Sequence, residues 1–183
     1  MIRLFVLFLG LLVFRTGPAD MPPGWRPVAV AAGWFLGVGL LLGLSSDTAQ
    51  TDLSGALGDS LLDSALDLVV LAAYSFLWAQ LRRHPLRLPQ MLTALFGALG
   101  MLGLPFIPLM MWMPTDMADP ASFGAWGWLI MGLFLWNLVV VGQIYRHTLG
   151  LSAGVGVLLA LGYFVVSAAV SFGLSYAFPG IDG

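Results

Sequence analysis

Cysteine, lysine and glutamate are all absent from this chain: its seven bases are arginines and its nine acids are aspartates. With no thiol there is no disulfide, no thiolate nucleophile and no soft metal ligand. With no lysine there is no Walker-type phosphate loop, and no serine stands in a nucleophile-elbow motif. The two histidines, His84 and His147, each lie beside an arginine and belong to no metal-ligand spacing. The basic cluster at Arg82, Arg83 and Arg87 is too small for a nucleic-acid footprint. Charge of either sign is scarce, at 9% of residues against about 25% in a soluble domain, while 60% are hydrophobic and mean hydropathy is +0.95. A soluble fold is excluded. No catalytic residue, cofactor, metal site or nucleic-acid partner is expected, and the chain is not expected to be an enzyme.

What fills the 183 residues is a succession of long apolar runs, so the expected fold is an all-α membrane protein in one integral membrane domain, 1–183. A helix rises 1.5 Å per residue, and about 20 apolar residues cross a hydrocarbon core. That rule predicts five transmembrane helices, at about 28–46, 61–81, 88–113, 123–145 and 149–178. Met1 to Phe14 would be only about 21 Å long as a helix, shorter than a core thickness. It is expected as a short interfacial or re-entrant helix, followed by a proline-rich connector that ends region 1–27. A sixth crossing by Met1 to Phe14 is the alternative, and it would move only Arg3 to the other side.

The stretch Asp59 to Arg87 sets the direction of the chain. It carries Asp59, Asp63 and Asp67 at one end of an apolar run and Arg82, Arg83 and Arg87 at the other. Arginine flanking a span is retained on the cytoplasmic side. With five spans and a cytoplasmic N-terminus, every arginine falls inside, and the acidic segments Ser45 to Ser60 and Pro114 to Ser122 and the C-terminus fall outside.

Small residues recur at helical spacing. Gly33 and Gly37, then Gly39 and Gly43, form two glycine pairs in the first span. Gly97, Gly100 and Gly103 step by three along the third, whose outer half is interrupted by Pro105 and Pro108. The last span shows Ser152, Gly156 and Ala160 on one stripe and Ser167, Ser171 and Ser175 on another. Such stripes let helix backbones approach closely, so they are the expected packing surfaces, and a kink is expected at the prolines.

Four polar positions fall within spans: Asp63, Asp67, Asn137 and Gln143. Asp59, Asp63 and Asp67 recur every four residues and share a helix face, with Asp67 deepest. Two readings stand for Asp67. It is either a cation or proton site opening outward, or a headgroup-level acid favoured by the helix dipole. If it faces the bundle, Ser171 or Tyr74 is the expected partner. For Asn137 and Gln143 an interhelical hydrogen bond is expected.

The proline-interrupted GLPFIPL in the third span, and the pair LWNLVVVGQIYRHTLGLSAGVGVLLALGYFVV, carry a resemblance. With the order of elements, they make the chain similar to the YIP family of Rab-interacting Golgi membrane proteins and its small bacterial relatives. The resemblance implies a non-enzymatic helical bundle, capable of oligomerising, in a bacterial inner (plasma) membrane. The expected function is therefore a scaffold or accessory subunit, packing on a protein partner or a second copy in the lipid bilayer through its glycine and serine stripes. The alternative is a small transporter or channel with an outward-facing carboxylate site at Asp67.

Overall fold

The structure, a computed structural model, describes residues 2–45, 53–112 and 120–177. Residues 46–52 of the first acidic segment, 114–119 of the second and the C-terminal tail lie outside the described residues, while 120–122 already belong to a helix. Among the described residues there is no strand. The helices are α1 (Ile2–Leu12), α2 (Trp25–Leu44), α3 (Leu53–Leu81), α4 (Leu88–Gly103), α5 (Phe106–Trp112), α6 (Pro120–Leu149) and α7 (Ala153–Ala177), with single 3-10 turns at Pro18–Asp20 and Pro85–Arg87. Five stretches are long and apolar enough to cross a membrane: Trp25–Leu44, Leu53–Leu81, Pro85–Trp112, Trp126–Leu149 and Ala153–Leu174. The chain is a bundle of five such helices plus a short N-terminal helix. The second begins at Leu53, two turns before its expected start, because LSGALGDS continues the helix rather than looping.

Three helices end the same way, at the arginine-rich end of the bundle. Phe14 and Arg83 take left-handed backbone at φ 58° and 57°, as does Gly150 at φ 64°. The next amide then reaches back to close the helix: Arg15 N to Gly10 O at 2.9 Å, His84 N to Ala79 O at 2.9 Å, and Leu151 N to Arg146 O at 3.0 Å. This is the Schellman closure, in which a left-handed residue lets the last carbonyls find donors. Only Gly150 has the residue for which that conformation carries no steric penalty.

The centre of the bundle is α4. Every residue from Met91 to Leu102 is buried, as a helix apolar on all sides requires. α2 lies along one flank of α4 and also packs on α3, while α6 packs on α4 and pairs with α7. The glycines that step by three in α4 are sockets: a side chain added at Gly97 would meet Phe8 of α1, at Gly100 the Trp34 ring, and at Gly103 the Val38 methyls. α1 thus lies across α4, with Phe5 edge-on to Trp34 at 5.7 Å and Phe14 against Trp136 of α6 at 5.3 Å. Its other face, Ile2, Val6, Leu9 and Val13, is exposed and apolar. At the far end of α4 the helix stops at Gly103 and restarts as α5 at Phe106, so the expected break falls at Pro105. Pro108 sits in the first turn of α5, where no amide donor is needed.

The glycine stripes divide. In the last span Gly156 lies against the Gly142 carbonyl, and a Cβ on Gly142 would come within 2.9 Å of the Val157 Cα, so α6 and α7 cross backbone to backbone. Ala160, one turn on, is fully buried. In α2 the packing pair is Gly39 and Gly43, which receive Ser64 and Ser60 of α3. A Cβ added at Gly33 or Gly37 would meet nothing within 4 Å, so among the described residues no helix is seated on that expected packing pair. The two pairs lie on different faces, and α3 occupies only one.

Candidate functional site

α3 is 29 residues long and turns Asp67 toward α7 about one-half of the way along its length. There the Tyr163 hydroxyl donates to Asp67 Oδ1 at 2.7 Å, and the Ser167 hydroxyl makes a short hydrogen bond to the same oxygen. Tyr163 and Ser167 are four apart, so both project from one face of α7. Asp67 is half-buried and Tyr163 fully buried. A carboxylate at this depth costs several kcal/mol unless it is hydrated or hydrogen-bonded. Two hydroxyl donors and an adjoining cavity supply both.

That cavity has a volume of about 660 Å³ and is walled by all five long helices. Phe35, Val38, Gly39 and Leu42 come from α2; Asp63, Ser64 and Asp67 from α3; Leu99, Gly100 and Gly103 from α4; Asn137 from α6; and Tyr163, Phe164, Ser167, Ala168 and Ser171 from α7. Phe106, just past the proline break, completes the rim, so the interruption after Gly103 shapes the opening. Asp63 is exposed, one turn toward the acidic end of α3. The size is that of a small-molecule pocket.

Beyond Asp67 toward the arginine-rich end, the polar groups are tied to one another. Tyr74 donates to the Leu159 carbonyl at 3.0 Å, seated against Gly162 of α7. The Ser75 and Tyr145 hydroxyls pair at 3.0 Å, both fully buried, joining α3 to α6. The Tyr74 ring lies 6.2 Å from both the Tyr145 and Tyr163 rings, so three aromatic side chains close the bundle below the cavity.

The sequence-derived candidates are thus sorted. Asp67 does face the bundle, where Tyr163 and Ser167 bond it; Tyr74, an expected partner, bonds elsewhere. Ser171 lies one turn farther toward the acidic end of the bundle and lines the cavity, while Tyr74 is spent on a backbone carbonyl. Ser167 and Ser171, expected as packing positions, both line the cavity, and Ser167 also joins α7 to α3 through Asp67. The Gln143 side chain accepts from Arg146 of its own helix, at 3.3 Å, and lines a separate cleft beside Arg15 and Thr16. Asn137 makes no hydrogen bond through Oδ1, although that atom is buried. The expected interhelical bonds of both amides are therefore not found among the described hydrogen bonds. Tyr163 escaped notice in the sequence, although its spacing of four from Ser167 could have flagged it.

Among the described residues no group of three His, Asp, Glu or Cys side chains converges as a metal site. His147 bonds the Gln143 carbonyl at 2.8 Å. Fold and site together define a multi-span helical membrane protein with a carboxylate-floored cavity at one end of its bundle. No family model, curated protein or solved structure matches the chain.

Proposed function

We propose that this protein is a non-catalytic membrane carrier or channel component that takes a cation from the outer side into the cavity floored by Asp67. The observation that carries this reading is the placement of Asp67: a carboxylate within a span, held by two hydroxyls of a second helix and facing a cavity of about 660 Å³. A packing helix has no need of such a group, and a headgroup-level acid would not be fixed by α7. Asp63 and Asp59, one and two turns outward, make the approach negative and would concentrate cations there.

The test is binding by the purified protein in nanodiscs. Saturable cation binding to the wild-type chain should be lost in Asp67→Asn, which keeps an acceptor for Tyr163 and Ser167 but removes the charge. Undiminished binding in Asp67→Asn would sink the reading.

A scaffold or accessory role is the second reading, supported by the resemblance to the YIP family and by the open glycine face at Gly33 and Gly37. On that reading a protein partner or a second copy would approach α2. Bulky substitutions at Gly33 would then abolish co-purification, while Asp67→Asn and Asp67→Leu would both be tolerated.

Under either reading we place the protein in the bacterial inner membrane, with the arginine-rich end cytoplasmic. The chain has no native cysteine, so single cysteines report cleanly. Leu86→Cys is the inside probe, since Leu86 is 94% exposed, whereas Gln90 is occupied by a bond to the Met21 carbonyl. Thr51→Cys and Ala118→Cys should label with impermeant maleimide in intact cells, and Leu86→Cys should not. Labelling of Leu86→Cys in intact cells would invert the orientation.

A further inference from the structure

Building on the cation-site reading above, we infer that the ligand is a primary organic ammonium with an apolar body, not a bare inorganic ion or a quaternary amine. Three features of the cavity lead there. The first is its polar inventory: Asp67, Asp63, Asn137 and hydroxyls line it, and no arginine or histidine does. The Tyr163 and Ser167 protons are committed to Asp67, so toward a ligand these oxygens offer lone pairs. The second is Asn137. Its Oδ1 is buried without a partner, and a buried acceptor left unpaired is costly unless a donor arrives. Two other buried atoms lack partners among the described residues, Trp34 Nε1 and Trp78 Nε1, but both are donors, and neither residue lines this cavity. An ammonium with three N–H donors can bond Asp67 and Asn137 together. A quaternary nitrogen can bond neither. The third is the rest of the wall: Phe35, Leu42, Leu99, Phe106 and Phe164 present hydrocarbon and aromatic faces. Those faces would gain nothing from a hydrated metal ion, but they would bury an apolar body, and ring faces also attract an ammonium.

The experiment uses the full chain in nanodiscs and three probes: phenethylammonium, its N,N,N-trimethyl analogue at equal concentration, and sodium or potassium chloride. Phenethylammonium should bind saturably, and Asp67→Asn should weaken it tenfold or more, which separates site binding from partition into lipid. Trimethylation should weaken binding at least fivefold in the wild-type protein, and Asn137→Leu should weaken phenethylammonium while leaving the trimethyl analogue unchanged. Because the trimethyl comparison uses wild-type protein, it decides the donor argument even if Asn137→Leu fails to fold. Equal binding of the two ammonium ions would overturn the inference. So would Asp67-dependent binding of sodium or potassium that phenethylammonium does not displace, an outcome that leaves the cation site standing. If no cation of either kind binds in an Asp67-dependent way, the inference falls together with the reading beneath it.

Discussion

α4 and α3 are neighbours of similarly apolar composition, yet they do opposite work. In the most apolar stretch of the span Pro85–Trp112, 56% of residues are buried, against 11% in α3. α4 presents glycines as sockets for α1 and α2, and α6 packs on it as well. α3 sends Leu71 and Ala79 into the core but also carries the polar contacts between helices: serines over the glycines of α2, Asp67 and Tyr74 on α7, and Ser75 on α6. The packing centre and the chemical centre of this protein are therefore different helices. Substitutions should separate accordingly, with stability residing in α4 and cation binding in the aspartate-bearing half of α3.

The largest effect should come from emptying the α4 core. Leu95 is fully buried, and Leu95→Ala removes its packing partners without a compensating collapse. Thermal or denaturant unfolding in detergent should register a loss of about 2 to 5 kcal/mol. Leu62→Ala in α3, at a position 60% exposed, should stay within about 0.5 kcal/mol. Comparable losses at both sites would dissolve the distinction between the two helices.

Next in size is overpacking. Gly156→Leu pushes a side chain into the backbone of α6, which cannot yield without separating the helices, and should cost about 3 kcal/mol. Gly97→Ala meets only the Phe8 ring, which can swing away with α1, so about 1 kcal/mol is expected. Phe8→Ala should make the Gly97→Ala change nearly neutral, and a double-mutant cycle measures that coupling. Leu158→Ala, on a face 64% exposed, should do little. A cycle with no coupling would show that α1 does not seat in α4.

The sequence made the number and order of long helices legible because bilayer thickness is a strong constraint on one-dimensional hydropathy. The break at Pro105 was legible for a similar reason, since a missing amide donor is a property of one residue. Helix faces were harder. Nothing local separates Gly39 and Gly43 from Gly33 and Gly37, because which pair is covered depends on where α3 lies. The same blindness hid that Ser167 and Ser171 line a cavity as well as the stripe between helices. Asp67 was legible as the deepest of the three acids, because depth along one helix can be counted. Its partners Tyr163 and Ser167 were not, since they depend on the relative height of two helices.

The polar attachments of α3 should have modest effects on stability even where they decide function. Asp67→Asn preserves an acceptor for Tyr163 and Ser167, so unfolding should shift by less than about 1 kcal/mol while cation binding is lost. Asp67→Leu strips both hydroxyls of their acceptor and should cost about 1 to 3 kcal/mol in stability as well. If Asp67→Asn destabilised the protein as much as Leu95→Ala does, Asp67 would be a structural member of the core, and the two helices would not divide their labour.

The smallest effect concerns the pair that ties α3 to the rest of the bundle on the arginine-rich side of the cavity. Ser75 and Tyr145 are both fully buried, and their hydroxyls meet at 3.0 Å. An interhelical hydrogen bond in a membrane averages about 0.6 kcal/mol, because the separated helices also find polar partners in the bilayer. Ser75→Ala and Tyr145→Phe each leave one hydroxyl without its mate, so each single change should cost about 1 kcal/mol, and the double change little more than either. The cycle therefore isolates a coupling near 0.6 kcal/mol. A much larger coupling would mean that α3 is fixed as firmly as α4 and that the cavity above it is rigid. A coupling near zero would mean that packing of the Tyr74, Tyr145 and Tyr163 rings, rather than their hydroxyls, closes the inner end, and Tyr74→Phe should then be silent while Tyr74→Ala opens it.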